Sequence, residues 1–228
     1  AARAKGLRIW HRSAALAALM VGKDAVSIAG THGKTTTTGM TSVMLTGVGA
    51  DPSYVIGSPL ASTGKSAHLG TGEAFVVEAD ESDGSFLQYP THIAVVTNVE
   101  ADHLDNWGTA TAYQDGFHRF ATGENVTAVV LDGDDALAAE LADRLVAEGR
   151  KVIRYGEGES CEVRLSDLDF EGTTARANLT FEGWTGTLAL QVPGRYNLAN
   201  AAAAFCVGVL LGHEPQALVQ AAAGFTGT

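Results

Sequence analysis

The sequence predicts an α/β fold, in which helices flank a mostly parallel sheet and a small antiparallel sheet is appended to it. Apolar runs with little polar alternation recur through the first 156 residues, which is typical of strands buried on both faces of a parallel sheet. Segments of helical composition alternate with these runs. After about residue 158 polar and apolar residues alternate between glycines, which indicates antiparallel strands with one solvated face.

The individual elements follow from composition and from the residues that flank each segment. Compact apolar runs predict strands at 25–30, 53–58, 74–80, 92–99, 127–135 and 151–156. Helical composition predicts helices at 34–45, 109–123, 135–149, 197–212 and 214–225. One further helix is expected after Ser13, a candidate N-cap, and a threonine is expected to cap the helix at 34–45. Residues 159–193 are expected to form three short antiparallel strands, as a subsheet within one domain that spans 1–228.

The composition indicates a globular, acidic chain. With 228 residues, 46% of them apolar, the chain is long enough to bury a sizeable core. A net charge of −11 argues against general binding to nucleic acid or to a membrane surface, because both attract basic proteins. No apolar run approaches a membrane span, and Cys161 and Cys206 lack the spacing of metal ligands. A reducing, cytoplasmic compartment fits best, and the first residues, which show no signal-peptide pattern, suggest a chain entered partway through.

The segment AGTHGKTTTT has the features of a phosphate-binding loop between a strand and a helix. Gly30 and Gly33 let backbone N–H groups turn toward an anion, beside a helix N-terminus whose dipole also favours negative charge. Lys34 supplies a positive charge, and Thr35 places a hydroxyl where a phosphate-bound Mg²⁺ needs an oxygen ligand. The segment departs from the common pattern G-x-x-x-x-G-K-[ST], because Ile28 stands where that pattern has glycine. The alternative interpretation is a glycine turn followed by a solvated lysine.

Acidic side chains follow two of the predicted strands. The first group is Glu78, Asp80, Glu81 and Asp83, and the second is Glu100, Asp102, His103 and Asp105. The carboxyl ends of parallel strands open onto the crevice where α/β proteins bind ligands. A divalent cation would relieve the repulsion between these carboxylates, and Glu78 is best placed to meet a metal held by Thr35. His103 is predicted as a further ligand at the same edge; the alternatives are a solvated acidic loop and a structural histidine.

Two asparagines stand near the start of a predicted helix. Asn197 and Asn200 are three residues apart and therefore lie on nearly the same helix face. Their amides could read the edge of a planar base that both donates and accepts hydrogen bonds. The alternative is that Asn197 only caps the helix.

Four segments in this order, AGTHGKTTTT, EADESD, TNVEADHLD and GRYNLANAAAA, resemble the ATP-dependent central domain of the Mur ligases of peptidoglycan synthesis. The shorter loop is that family's form, which folylpolyglutamate synthetases share, so glycine is not expected at position 28. The resemblance covers essentially the whole chain and implies a P-loop NTPase-like sheet. Within the family, EADESD followed by SFL is most similar to the branch that adds L-alanine, and next to the murein-tripeptide recycling ligases.

The resemblance implies ATP and Mg²⁺ as cofactors, and UDP-N-acetylmuramate and L-alanine as substrates. The substrate carboxylate would attack the γ-phosphate to give an acyl phosphate and ADP, and the amino group of L-alanine would then displace phosphate. The nucleotide-binding residues implied are Gly30, Thr31, His32, Gly33, Lys34, Thr35, Thr36, Asn197 and Asn200. The metal ligands implied are Thr35, Glu78 and His103, with Lys34, Glu78 and His103 as the catalytic residues.

The sequence also departs from the family pattern. Relatives often carry a carbamylated lysine beyond the metal histidine, whereas this chain has no lysine between Lys65 and Lys151, and His118 stands near that place. Tyr196 replaces a histidine before the asparagines. The family's N-terminal uridine-nucleotide domain and C-terminal amino-acid domain do not fit within 228 residues. Two other functions stay open: a folylpolyglutamate-type ligase, which EADESD disfavours, and a nucleotide-binding regulatory module, which the acids at two strand ends disfavour.

Overall fold

A ten-stranded sheet runs through the computed structural model, which describes residues 3–100 and 104–228. The strands are β1 (Asp24–Ala29), β2 (Ser53–Val55), β3 (Ala67–His68), β4 (Ala74–Glu78), β5 (Ile93–Val96), β6 (Ala128–Asp132), β7 (Val152–Gly156), β8 (Val163–Glu171), β9 (Thr174–Phe181) and β10 (Trp184–Leu190). The α-helices are α1 (Arg12–Met20), α2 (Lys34–Gly47), α3 (Leu104–Trp107), α4 (Ala110–Ala121), α5 (Ala136–Ala147), α6 (Arg195–Leu210) and α7 (Pro215–Ala222). Two 3₁₀-helices cover Arg3–Lys5 and Ser85–Gln88.

The strand order confirms the predicted α/β class. Across the sheet the order is β10-β9-β8-β7-β6-β5-β1-β4-β2-β3. Each adjacent pair between β8 and β2 in this order is parallel. Strand β1 lies between β4 and β5, with Ile28 in register with Glu78 on one side and with Val95 on the other. The carboxyl ends of these three strands therefore meet at one edge of the sheet.

Helices cover both faces of the parallel strands, which explains why those strands are continuous apolar runs. On one face, Ile28 belongs to a buried cluster that includes Met40 of α2 and Phe205 of α6. On the other face, Ala29 belongs to a cluster that includes Phe117 of α4 and Leu141 of α5. Successive residues of β1 thus face opposite cores, and β1 is fixed from both sides.

The antiparallel strands extend the main sheet instead of forming a separate one. Strand β8 pairs in parallel with the end of β7, where Tyr155 lies opposite Val163. Strands β8, β9 and β10 then pair antiparallel, as the alternating sequence predicts. Their residues alternate between buried and exposed along much of their length, because only one face packs on α6.

Two predicted helix caps are wrong, and so is the alternative interpretation of Asn197 as a cap. The N-cap of α1 is His11, whose side chain accepts from the N–H of Ser13, while the Ser13 hydroxyl donates to Gln88 Oε1 at 3.1 Å. The N-cap of α2 is Gly33 in the left-handed region (φ 84°), so no threonine caps this helix. The N-cap of α6 is Gly194, and Asn197 lies inside the first turn. The two glycine caps leave the first N–H groups of α2 and α6 without a side-chain acceptor.

Candidate functional site

The loop after β1 has a shape that only glycine permits. Gly30 has φ 133°, and a Cβ there would lie 2.1 Å from Thr97 Oγ1. Gly33 has φ 84°, and a Cβ there would lie 2.7 Å from Asn200 Oδ1. Both the left-handed backbone and the close neighbours exclude a side chain. The loop therefore turns directly into the N-terminus of α2, where backbone N–H groups can bind an anion.

The segment after β5 holds this loop in place, a contact that the sequence does not predict. The side-chain amide of Asn98 accepts from the N–H of His32 at 2.8 Å and donates to the His32 carbonyl at 3.0 Å. Thr97 Oγ1 donates to the same carbonyl. The Thr31 hydroxyl contacts Tyr113 Oη at 3.2 Å and accepts from the N–H of Glu100 at 2.9 Å. The only sequence signal is that Thr97 and Asn98 directly follow an apolar strand.

Lys34 is held by the protein and is not a solvated side chain. Its Nζ donates to the carbonyls of Gly30 at 2.6 Å and Thr31 at 3.3 Å, and to Glu81 Oε1 at 3.0 Å. The Glu81 side chain is fully buried. Burial raises the pKa of the Glu81 carboxyl above its usual value, although the Lys34 ammonium beside it opposes this rise. The ammonium group is therefore fixed over the loop by two carbonyls and one carboxylate.

Thr35 and Glu78 face each other across the gap between α2 and β4. Thr35 Oγ1 lies 2.9 and 3.0 Å from the two Glu78 carboxylate oxygens. Mg²⁺ binds through one or two protein oxygens and completes its shell with phosphate and water. This pair of oxygen ligands fits that requirement. Among residues 3–100 and 104–228, no group of three or more His, Cys, Asp or Glu side chains is arranged to hold a metal.

His103, the third predicted ligand, lies outside the described residues. Glu81 pairs with Lys34, and the two aspartates of EADESD serve local turns: Asp80 accepts from the N–H of Ser82 at 3.0 Å, and Asp83 accepts from the N–H of Ser85 at 2.8 Å. Of this acidic segment, Glu78 is therefore the carboxylate that reaches Thr35.

Asn200 lies against the loop, whereas Asn197 is engaged elsewhere. Asn200 Oδ1 accepts from Thr37 Oγ1 of α2 at 3.1 Å. Asn197, one turn earlier, donates to the carbonyl of Pro193 at 2.6 Å. Thr36 lies in the first turn of α2 and is partly buried. The role of the two asparagines in reading a base stays a prediction.

His118 lies away from this loop, between two helices. Its Nε2 contacts the Glu148 carboxylate at 2.9 and 3.0 Å, which links α4 to the end of α5.

A cleft of about 570 Å³ opens beside the loop, and its lining includes Leu16 and Val55 as well as Lys34 and Glu78. The lining of the cleft thus combines apolar side chains with charged groups.

Acidic groups crowd a second part of the same edge, at the end of β6. Burial raises the pKa of the Asp132 carboxyl to about 6, and the charges of Asp134 and Asp135 add to this rise. Asp134 accepts from the N–H groups of Glu157 and Gly158 at 2.6 and 2.9 Å. Loop positions after β6 and β7 are therefore joined through one carboxylate.

Taken together, these residues have the chemistry that a polyphosphate and a divalent cation require: N–H groups and an ammonium for the anion, and a hydroxyl and a carboxylate as oxygen ligands for the cation. None of the helices in the described part of the chain is long and apolar enough to cross a membrane.

Comparisons with known proteins agree with this chemistry. Residues 28–208 match the family described as Mur ligase middle domain. Over 98% of its length the chain is 69% identical to a UDP-N-acetylmuramate–L-alanine ligase of Cutibacterium acnes, and it covers 48% of that protein. The crystal structure of a UDP-N-acetylmuramate-alanine ligase from Thermotoga maritima has a TM-score of 0.85 at 26% identity, covering 100% of this chain and 51% of that one.

A third protein is similar in fold. It is a UDP-N-acetylmuramate:L-alanyl-gamma-D-glutamyl-meso-diaminopimelate ligase from Neisseria meningitides, with a TM-score of 0.84 at 25% identity, covering 100% of this chain and 74% of that one. The chain spans about half the length of the curated relatives it matches. Because the family match takes in most of the chain, including the loop after β1, Glu78 and Asn200, the chain belongs to the Mur ligase family and corresponds to its middle domain.

Proposed function

We propose that this chain is the ATP-binding middle domain of a ligase that joins L-alanine to UDP-N-acetylmuramate in peptidoglycan precursor synthesis. The observation that carries the proposal is the Thr35–Glu78 pair beside Lys34, on a chain 69% identical to a relative of that name. The proposed reaction starts when the carboxylate of UDP-N-acetylmuramate attacks the γ-phosphorus of ATP, which breaks the bond to ADP and forms an acyl phosphate. The amino group of L-alanine then attacks the acyl carbon, and phosphate leaves as the amide forms and the amine loses a proton.

In this proposal the residues of the chain position phosphate and balance its charge. The N–H groups at the start of α2 and the Lys34 ammonium face the phosphates, where phosphoryl transfer depends mainly on positioning and electrostatics. Thr35 and Glu78 would hold Mg²⁺, which supplies positive charge to the phosphate oxygens when bound. Asn98 keeps the loop in the shape that these contacts need. Glu81 keeps the Lys34 ammonium over the loop.

The substrates require more than this chain. We propose that the whole protein is cytoplasmic and that flanking domains bring the uridine nucleotide and the amino acid to the cleft beside Lys34. Catalysis by holding reactants in attack geometry is worth up to roughly 7 to 11 kcal/mol, so the chain alone is expected to bind Mg-nucleotide without ligating substrates. His103 is proposed as a further metal ligand, and the two asparagines as contacts to adenine.

The main alternative is a murein-tripeptide recycling ligase, which the structural similarity to the Neisseria protein favours. Both candidates use UDP-N-acetylmuramate and differ in the amine that they accept. The test is to incubate the whole protein with ATP, Mg²⁺ and UDP-N-acetylmuramate, and with either L-alanine or the tripeptide L-alanyl-γ-D-glutamyl-meso-diaminopimelate. ADP release and product mass are then measured. Ligation of L-alanine alone supports the proposal, ligation of the tripeptide supports the alternative, and ATP binding without either product supports a regulatory module.

A further inference from the structure

A backbone amide outside the phosphate-binding loop holds the metal-facing carboxylate. The N–H of Gly57, just after β2, donates to Glu78 Oε2 at 2.7 Å. The same carboxylate accepts from Thr35 Oγ1. A hydrogen bond from N–H to a carboxylate is about twice as strong as one between neutral groups. Glu78 is therefore fixed from two sides, by α2 and by the loop after β2.

The space at Gly57 admits no side chain. A Cβ at this position would lie 2.6 Å from Glu78 Oε2, and 3.0 Å from both Cδ and Oε1 of the same residue. Gly57 is not among the glycines with positive φ, so its backbone conformation does not require glycine. The requirement comes from the close approach of the backbone to the carboxylate. Because the clashing atoms are the end of a flexible side chain, a Cβ would displace the carboxylate before it disrupted the fold.

The donor itself is held by its surroundings. Residues 56–66 form a hairpin loop that connects β2 to β3. The N–H of Ile56 donates to the carbonyl of Ser66 at 2.8 Å, and the N–H of Leu60 donates to that of Lys65 at 3.0 Å. The N–H of Ala61 donates to the carbonyl of Gly227 at 2.9 Å. Hydrogen bonds thus hold the hairpin loop on both sides of Gly57, so the Gly57 N–H is a fixed donor to Glu78.

We propose that Gly57 is a positioning residue for Glu78: its N–H holds Oε2 so that the carboxylate faces Thr35 in the geometry that Mg²⁺ requires. The proposal rests on the Mg-nucleotide site proposed above. Partners that orient a metal ligand typically affect metal affinity by about 10- to 100-fold when mutated. A substitution at Gly57 should therefore change the Mg²⁺ concentration needed for nucleotide binding more than it changes stability or nucleotide binding without metal.

The first test compares Gly57→Ala with Gly64→Ala in the same chain. Gly64 is in the same hairpin loop and has positive φ (66°), but a Cβ there meets nothing within 4 Å. The measurement is binding of a fluorescent non-hydrolysable ATP analogue, titrated with Mg²⁺ and repeated in EDTA. Gly57→Ala is expected to raise the Mg²⁺ concentration at half-maximal binding by about tenfold or more, with binding in EDTA unchanged. Gly64→Ala strains the loop without touching Glu78 and should leave the Mg²⁺ midpoint unchanged.

A wild-type midpoint in Gly57→Ala, or an equal shift in Gly64→Ala, overturns the positioning role. Absence of Mg-dependent binding by the wild-type chain would instead defeat the proposed nucleotide site, so the two failures are distinguishable.

A second measurement does not depend on the folding of Gly57→Ala. In ¹H–¹⁵N NMR spectra of the metal-free chain, Glu78→Ala should shift the Gly57 amide proton upfield and speed its exchange with solvent, because the carboxylate acceptor is gone. The Ala61 amide, whose acceptor is Gly227, serves as the internal control and should not change. A Gly57 amide that is unaffected by Glu78→Ala contradicts the proposal.

Discussion

The parallel and antiparallel parts of this sheet differ in what lies at the strand ends. In the parallel part, β1, β4 and β5 all end at one edge, and Gly30, Glu78 and Thr97 meet there. In the antiparallel part, successive strands end at opposite edges, and the strands contribute mainly one apolar face, packed on α6. Parallel pairing thus brings polar side chains from distant segments to one edge, whereas the antiparallel strands contribute apolar side chains to the core.

The two parts also differ in the free-energy cost of burying polar groups. At the parallel edge Glu81 is fully buried, and the pKa of Asp132 is raised by burial. Burying charge destabilises a fold unless it is paired. In β8 and β9, buried positions are occupied by apolar residues such as Leu165 and Leu179. Substitutions in the two parts should therefore separate binding from stability.

The largest expected effect on stability is in the antiparallel part. Leu179→Ala removes a fully buried side chain from the core under α6 and should lower the free energy of unfolding by about 2 to 5 kcal/mol. Urea unfolding followed by circular dichroism measures this change. The affinity of the folded variant for a Mg-ATP analogue should equal that of the wild type, and a tenfold loss of affinity would show that the two parts are coupled.

At the parallel edge, Glu78→Gln should raise the Mg²⁺ requirement for nucleotide binding by at least about tenfold. The amide keeps the size of the side chain but loses the charge that the cation needs. Asp83→Asn is a matched control on the same segment, since within the described residues Asp83 accepts a hydrogen bond from Ser85 and makes none with Thr35. Equal Mg²⁺ midpoints in all three proteins would make Glu78 a structural residue.

A smaller effect is expected at the clamp on the loop. Asn98→Ala removes both hydrogen bonds to His32 and should weaken nucleotide binding by about tenfold, because two bonds of about 1 kcal/mol each are lost, partly offset by solvation. Asn98→Asp keeps the acceptor oxygen but loses the N–H donor, so its nucleotide affinity should lie between those of Asn98→Ala and the wild type. Titration calorimetry ranks the three proteins; an Asn98→Ala variant with wild-type affinity would mean that the loop holds its shape unaided.

The smallest predicted effect concerns pH. The pKa of Asp132 is raised to about 6, so the stability from its neutral form is present below about pH 4 and is lost as pH rises through 6. Asp132→Asn cannot undergo this loss. Between pH 4.5 and pH 7.5 the variant should therefore gain on the order of 1 kcal/mol relative to the wild type, a value reduced by partial exposure. Urea unfolding at both pH values tests this, and a pH-independent difference would contradict it.

How far the sequence predicts this site depends on how local each contact is. Gly30, Gly33 and Lys34 follow β1 within five residues, and Glu78 is the last residue of β4. Both strands are recognisable as apolar runs, so the meeting of these residues at one edge follows from parallel pairing. The contacts of Gly57 could not be predicted, because they depend on how the hairpin loop folds back over the end of β4.

The same limit explains the other misses. Asn98 acts on His32, 66 residues away in sequence, and Glu81 pairs with Lys34 across 47 residues. The sequence around Asn98 and the sequence around Glu81 do not distinguish these residues from those of a solvated loop. Ser13 has the composition of an N-cap, but its hydroxyl donates to Gln88 at a distant position, and His11 caps the helix instead. Tertiary partners decided all three cases.

The central claim is that the loop after β1 and Lys34 bind the phosphates of a nucleotide. Its most direct test is calorimetric titration of the wild-type chain and of two Lys34 variants with a non-hydrolysable ATP analogue in excess Mg²⁺. The variants are Lys34→Ala and Lys34→Ala with Glu81→Gln, since removing Lys34 alone also removes the cation that the buried Glu81 carboxylate faces. The wild-type chain is predicted to bind one nucleotide, and both variants to lose at least about 100-fold in affinity, consistent with the loss of a charge-assisted contact to phosphate, while their circular dichroism stays native. Equal affinity in folded variants and wild type, or no binding by the wild type, would contradict the account.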